Sequence, residues 1–200
     1  MKRPDREVNP HDDADTAIEF VSPGKYSINN PQARTRGAEG PPATTRMLHS
    51  QDEIRQHSQQ LLQQARHVVR IYSPDLEPWL YSNDPMVEQC KDFLLRQESG
   101  RLLILLHDSR RLLAESHRLL PLIERLSSRA QIRLIHPEHE VHPDRWLSAD
   151  EHSLLLRKTS APFQGQLFCG QPARVRPHIE QFEAMWAVSR TDINLRRMTL

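Results

Sequence analysis

Leu102-Leu103-Ile104-Leu105-Leu106-His107-Asp108 is the stretch that decides the fold of this chain. Five apolar residues follow one another without a break. Ser99-Gly100 stands just before them, and two polar, titratable residues close the run. A strand with one wet face alternates polar and apolar residues. A short continuous run with such flanks suits a strand buried on both faces, as in a parallel sheet packed between helices.

The neighbours on both sides agree. Upstream, Asp84-Pro85 reads as an N-cap followed by proline at the first helical position. Val87, Cys90, Phe93 and Leu94 give that helix its buried face, and Ser99-Gly100 ends it. Before it, His67-Val68-Val69-Arg70-Ile71-Tyr72 is short and β-branched, hence a strand stopped by Ser73-Pro74. Earlier still, Ser50 and Glu53 form an S-x-x-E capping box, and Ile54, Leu61, Leu62 and Ala65 follow at helical spacing to about Arg66.

Downstream, Asp108 or Ser109 caps a helix with the stripe Leu112, Leu113, Ser116, Leu119, Leu120, Ile123 and Leu126. Pro121 inside that stripe predicts a kink or two helices. Ile132-Arg133-Leu134-Ile135 is a third strand. Strand, helix, strand, helix, strand implies an α/β fold whose sheet is mainly parallel at its start and flanked by helices. After Ile135 the pattern changes. His152–Arg157 and Gln164–Phe168 read as short strands around a turn with Pro162 and Gly165. Val175, Ile179, Phe182 and Trp186 mark a last helix, and Ile193–Leu200 a final strand. No internal repeat is present.

Composition divides the 200 residues in two. Residues 1–46 hold six of the 15 prolines, seven acidic and seven basic side chains, and no leucine. Such a segment cannot bury enough surface to offset its ordering entropy, so it reads as a disordered tail. No apolar run follows Lys2 and Arg3, which argues against a signal peptide. Ala17–Val21 is the one stretch of the tail suited to pairing with a sheet edge or a partner. Residues 47–200 hold the leucines and all three tryptophans, and form the expected domain. Net charge is +1, against a generic polyanion binder. Two cysteines are too few for a disulfide-stapled domain and fit a reduced, cytoplasmic protein. No apolar run is long enough to span a membrane.

Open parallel sheets bind ligands outside the carboxyl ends of their strands. Strand one ends in Ser73-Pro74-Asp75, strand two in His107-Asp108 and strand three in His136. Asp75 and Asp108 are therefore candidate ligand contacts, together with His117 and Arg118 on the helix that follows. Each also has a local reading, Asp108 as a helix cap and Ser73-Pro74-Asp75 as a turn. The loop His136-Pro-Glu-His139-Glu-Val-His142 is the densest cluster of metal-ligand types. Its spacing fixes no tetrahedral geometry, so no metal and no other cofactor is expected. Glycine-rich phosphate loops and the G-x-S-x-G elbow are absent. Cys90 reads as core, and Cys169 has no evident activating partner.

These residues resemble one half of the phospholipase D-like fold. The resemblance rests on Ile71-Tyr-Ser73-x-Asp75-Leu76, the apolar strand closing on His107-Asp108, His117-Arg118-Leu119-Leu120, Ile132-Arg133 and Phe182-x-x-x-Trp186. It runs from Arg66 to the C-terminus. More narrowly, the chain resembles an uncharacterised bacterial domain often fused behind a GNAT acetyltransferase; residues 1–46 are too short to hold that enzyme. Active phospholipase D-like proteins carry H-x-K-x4-D, with histidine as the nucleophile and lysine on the phosphate. The nearest match here is Pro143-x-Arg145-x4-Asp150. Proline cannot take a phosphoryl group, so the family's covalent step fails there and no catalytic residue is assigned. Arg145 keeps the means to grip an anion. The resemblance also implies pairing about a two-fold axis, hence a homodimer.

Three functions follow from this reading. The first is a non-catalytic binding or regulatory module that takes a small anionic ligand or phosphodiester on Asp75, Asp108, His117, Arg118 and Arg145. The second is a phosphodiesterase or nuclease of altered, metal-assisted chemistry built on His107, His117 or His136. The third is nucleic-acid binding without cleavage, to which Arg174, Arg176 and Arg196-Arg197 would contribute. Near-neutral charge disfavours the third.

Overall fold

In a computed structural model, residues 42–139 and 143–191 are described. The expected pairing of Ala17–Val21, the final strand at Ile193–Leu200, His142 and Arg196-Arg197 lie outside them. Among the described residues seven strands form one sheet: β1 (Thr44–Leu48), β2 (Val68–Ser73), β3 (Arg101–Leu106), β4 (Ala130–Leu134), β5 (Asp144–Ala149), β6 (Ser153–Lys158) and β7 (Gly165–Cys169). The helices are α1 (Gln51–Gln64), α2 (Pro78–Tyr81), α3 (Asp84–Arg96), α4 (Arg110–Ala114), α5 (Leu120–Arg125) and α6 (Pro172–Val188).

The strand order is β1-β7-β6-β5-β2-β3-β4. β2, β3 and β4 are parallel, linked by crossovers through α2–α3 and α4–α5. β5 lies antiparallel to β2, and β6, β7 and β1 continue antiparallel. The sheet is therefore mixed rather than mainly parallel. Parallel neighbours need a crossover of a dozen or so residues, whereas β5, β6 and β7 follow one another through short turns that allow only antiparallel pairing. β1 starts three residues ahead of the expected domain start at Met47 and pairs with β7.

Local sequence explains most boundaries. Ser50 caps α1, its Oγ accepting the Glu53 N–H at 3.2 Å. Asn83, not Asp84, caps α3: its Oδ1 accepts the Met86 N–H at 3.1 Å, and Pro85 falls in the first turn, where no donor is needed. Gly100 permits the tight return into β3, because a Cβ there would sit 3.0 Å from both Cβ and carbonyl O of Gln97. The break in the Leu112–Leu126 stripe produces two helices. It falls at Ser116, whose φ is 48°, and Pro121 sits in the first turn of α5.

One face of the sheet packs against α1 to α5. Ile54, Leu62, Val69, Ile71, Phe93, Leu102, Ile104 and Leu112 have no exposed surface there, each worth about 1.5–3 kcal/mol of burial. The other face meets α6, with Tyr72, Leu105, Trp146, Leu154, Val175 and Phe182 in a second core. Cys90 lies in the first core, as expected. Among the described residues no helix is long and apolar enough to cross a membrane.

Candidate functional site

The turn after β2 builds the site. Leu76 is fully buried with φ at 55°, a left-handed conformation that leucine adopts only under constraint. Two side chains impose it. Ser73 Oγ accepts the Leu76 N–H at 3.1 Å, and His117 Nε2 donates to the Leu76 carbonyl at 3.0 Å. His117 Nδ1 accepts the Leu119 N–H. Both ring nitrogens are thus committed to the neutral Nε2–H form. Burial, the chief cause, lowers the His117 pKa in keeping with that form.

This reversal turns Glu77 inward, where it is 3 % exposed. Its carboxylate receives Arg157 from β6 and Arg145 from β5. Arg157 donates through Nη1 at 3.0 Å and through Nη2, and Arg145 donates through Nη1. Arg157 Nη1 also reaches the Pro162 carbonyl at 3.2 Å. Its guanidinium lies 5.4 Å from the Trp79 ring centroid. Burial alone would raise the Glu77 pKa. The hydrogen bond and charge of Arg157, then those of Arg145, outweigh it and hold the carboxyl below its usual range. Tyr81, buried beside the cluster, has its phenol pushed up, chiefly by burial.

Above this cluster the carboxyl ends of β2 and β3 come together. The Pro74 carbonyl accepts the N–H groups of His107 and Asp108 at 3.1 and 3.0 Å. The His107 ring stands edge-on to Tyr72 at 5.2 Å, and Tyr72 stacks on Trp146 at 5.8 Å. His107 Nε2 is buried and makes no hydrogen bond, and neither does Arg145 Nε. Burial and then the charge of Arg145 lower the His107 pKa, while Asp75 pulls the other way. His107, Arg145 and Asp75 therefore share one electrostatic environment. Asp75 is itself paired with Arg111 at 2.7 Å.

The residues singled out in the sequence thus fall into two sets. Arg145 and Asp75 lie close enough to His107 to act on its charge. Asp108 is engaged locally, accepting the N–H and Nε–H of Arg110, while Ser109 holds the N-cap position of α4 without a side-chain cap bond. His117 supports the turn beneath the site and is 1 % exposed. Arg118 lies on the surface, ion-paired with Asp84. His136 follows β4, with Glu138 near it. Among the described residues no group of three or more histidine, cysteine, aspartate or glutamate side chains could hold a metal ion. Arg174 lies 5.8 Å from the Phe168 ring centroid, and Arg176 is exposed.

Glu77 and Arg157 escaped the sequence reading. Arg157 carried the usable signal, a charge at the end of Leu154-Leu155-Leu156 that needs a buried partner. Asp150, the last residue of the Pro143-x-Arg145-x4-Asp150 match, is a structural clamp. At φ 52° its carboxylate accepts the N–H groups of Arg66, His67 and Val68 at 2.9, 2.7 and 2.9 Å, fixing the entry to β2.

Residues 50–198 match the family model described as "Domain of unknown function (DUF7931)". The chain belongs to the DUF7931 family. No curated protein matches it. Solved structures similar to this DUF7931 chain share its fold at low identity. Nuc from Salmonella typhimurium, a phospholipase D family member, is 11 % identical with a TM-score of 0.55, over 74 % of this chain and 97 % of its own. NucT from Helicobacter pylori is 10 % identical with a TM-score of 0.53, over 75 % and 99 %. TrmBL2, an archaeal chromatin protein described as binding DNA in a novel mode, is 12 % identical with a TM-score of 0.54. The match covers 74 % of this chain and only 55 % of TrmBL2. DUF7931 here therefore has a phospholipase D-like fold.

Proposed function

We propose that this DUF7931 chain is a non-catalytic binding module whose cleft takes a small anion of phosphodiester type. One observation carries the reading: two buried nitrogens by the carboxyl ends of β2 and β3, Arg145 Nε and His107 Nε2, have no hydrogen-bond partner. A buried polar nitrogen without a partner costs about 1–3 kcal/mol. On this reading the oxygens of one anion serve these nitrogens, which would remove that cost and add charge-assisted hydrogen bonds. Glu77 holds the far side of the Arg145 fork and so aims it. Pro143 leaves the family's nucleophile position without a nucleophile, which supports binding without turnover. The likeness to TrmBL2 supports including a nucleic-acid phosphodiester among the ligands. The free thiols of Cys90 and Cys169 support a reducing, cytosolic setting, and we take the working unit to be a homodimer.

The test follows the His107 ring by NMR while dimethyl phosphate, and then a dinucleotide, is titrated in. Binding should raise the His107 pKa, because the anion offsets the Arg145 charge. Arg145→Gln should abolish both the shift and the binding. A His107 ring that ignores both ligands, or responds equally in Arg145→Gln, overturns the proposal. Hydrolysis of a chromogenic phosphodiester that disappears in His107→Ala would replace it with the phosphodiesterase reading. Sedimentation of a monomer at micromolar concentration would remove the dimer.

A further inference from the structure

A charged groove lies toward the opposite end of the parallel strands. Parallel sheets are normally covered on both faces, since their crossover helices bury one and other elements the second. Here both crossovers lie on the same side, and α6 only partly covers the other face of β2-β3-β4. A groove of about 470 Å³ remains at the amino ends of these strands, bordered by Arg70, Arg101, Arg129, Arg133, Glu183 and Trp186. The register explains the grouping. Arg70 pairs across to Leu103, which pairs across to Gln131, while Val68 pairs with Arg101 and Leu105 with Arg133. Three arginines therefore rise from one face around Leu103.

Their forks are only partly used. Arg70 gives Nε to Glu183 at 2.8 Å. Arg133 gives Nη1 to the Trp186 carbonyl at 3.1 Å and Nη2 to Gln131 Oε1 at 3.4 Å, and so contributes mainly charge. Arg101 is exposed, and its side chain has no partner among the described residues. Arg129 holds the carbonyl of Leu94 at 2.6 Å and contributes charge more than donors. Four arginines against one glutamate leave a net of three positive charges. The Trp186 ring is already engaged, with Arg133 over it at 4.4 Å and Phe182 stacked on it at 5.5 Å. Recognition here rests on charge and not on base stacking.

We propose that this groove binds a compact oligophosphate, a ligand with at least two linked phosphoryl groups, free or carried by a nucleotide. Linked phosphoryl groups concentrate three or more negative charges in a volume this small, and arginine forks match their oxygens two at a time. A second copy of this chain is a poor occupant, because a two-fold axis would set these arginines against themselves.

The test is calorimetric titration of the full chain with inorganic tripolyphosphate, ATP and citrate at low ionic strength. Tripolyphosphate and ATP should bind about equally, since the Trp186 ring is already engaged by Arg133 and Phe182, and citrate more weakly. Arg101→Glu should weaken tripolyphosphate about tenfold or more by reversing a charge that supports no other contact. Glu183→Gln keeps a hydrogen bond to Arg70 but removes the opposing charge, so it should tighten binding a few-fold. Arg145→Gln should leave the Arg101-dependent part of the binding in place, which separates this groove from the cleft. ATP binding far tighter than tripolyphosphate overturns the proposal, as does citrate binding as tightly. So do unchanged affinities in both groove variants, or binding lost only in Arg145→Gln.

Discussion

Glu77→Gln removes the single negative charge that holds two arginines. The Arg157 side chain is 1 % exposed and that of Glu77 4 %, so the change strands a guanidinium where water cannot reach it. Removing one partner of a buried ion pair costs about 3–5 kcal/mol. A domain this size has only about 5–15 kcal/mol in total. At roughly 2–4 °C per kcal/mol for a chain of this length, the melting temperature should fall by about 6–20 °C. Urea denaturation followed by circular dichroism gives the free energy directly. A second substitution, Arg157→Met, should recover part of the loss in the Glu77→Gln background, because an apolar side chain there leaves no buried charge unpaired. The carboxyl of Glu77 is held below its ordinary 4.5 in the folded chain. Its contribution is thus complete above pH 4.5 and drains away as the pH falls through the lower, folded value. Glu77→Gln should flatten that acid limb. A loss under about 1 kcal/mol, the range of an exposed pair, would refute the claim that the cluster is a buried unit.

His117→Ala should cost about 1–3 kcal/mol through the unpaired Leu76 carbonyl. It should also weaken anion binding at Arg145, because Glu77 loses its position, and His117→Gln should be milder on both counts. His107 and His117 are both held below their usual 6.5, so the unfolded chain takes up protons first. Their contribution is complete above about pH 6.5 and falls as the pH drops below it; denaturation at pH 5.5 and 7.5 measures the slope, which should shrink in His117→Gln. Asp150→Ala frees three backbone N–H groups and should cost about 1.5–3 kcal/mol. Asp150→Asn should cost less, since asparagine tolerates the left-handed backbone and keeps one accepting oxygen; chemical denaturation of both variants decides it.

The parallel half was legible because its signals are local. The Leu102–Leu106 run, the Ser50–Glu53 box and the leucine stripes each need only a few neighbouring residues to be read. β1 and β5 were not legible. Asp144-Arg145-Trp146-Leu147-Ser148-Ala149 is neither alternating nor rich in β-branched residues, and it is a strand because β2 and β6 flank it on both sides. The site divides the same way. Placing it at the carboxyl ends of β2 and β3 needed only strand order. The inward turn of Glu77 depends on His117, some forty residues away, and nothing in Asp75-Leu76-Glu77-Pro78 distinguishes it from a solvated bend. His117 drew attention as a candidate ligand contact, yet its two hydrogen bonds make it a prop for that bend.

The pairing of β1 with β7 sets the order in which the molecule can be completed. Thr44 meets Cys169 and Leu48 meets Gly165, so β1, once off the ribosome, waits for more than a hundred further residues before it finds its place. Until then the growing chain can assemble β2, β3 and β4 from close neighbours, while Thr44–Leu48 trails unpaired and the hydrogen-bonding edge of β6 stands open. Contacts between such distant positions form late and slow the final step. A nascent chain stalled before Gly165 is the form of this protein most exposed to pairing with another copy of itself.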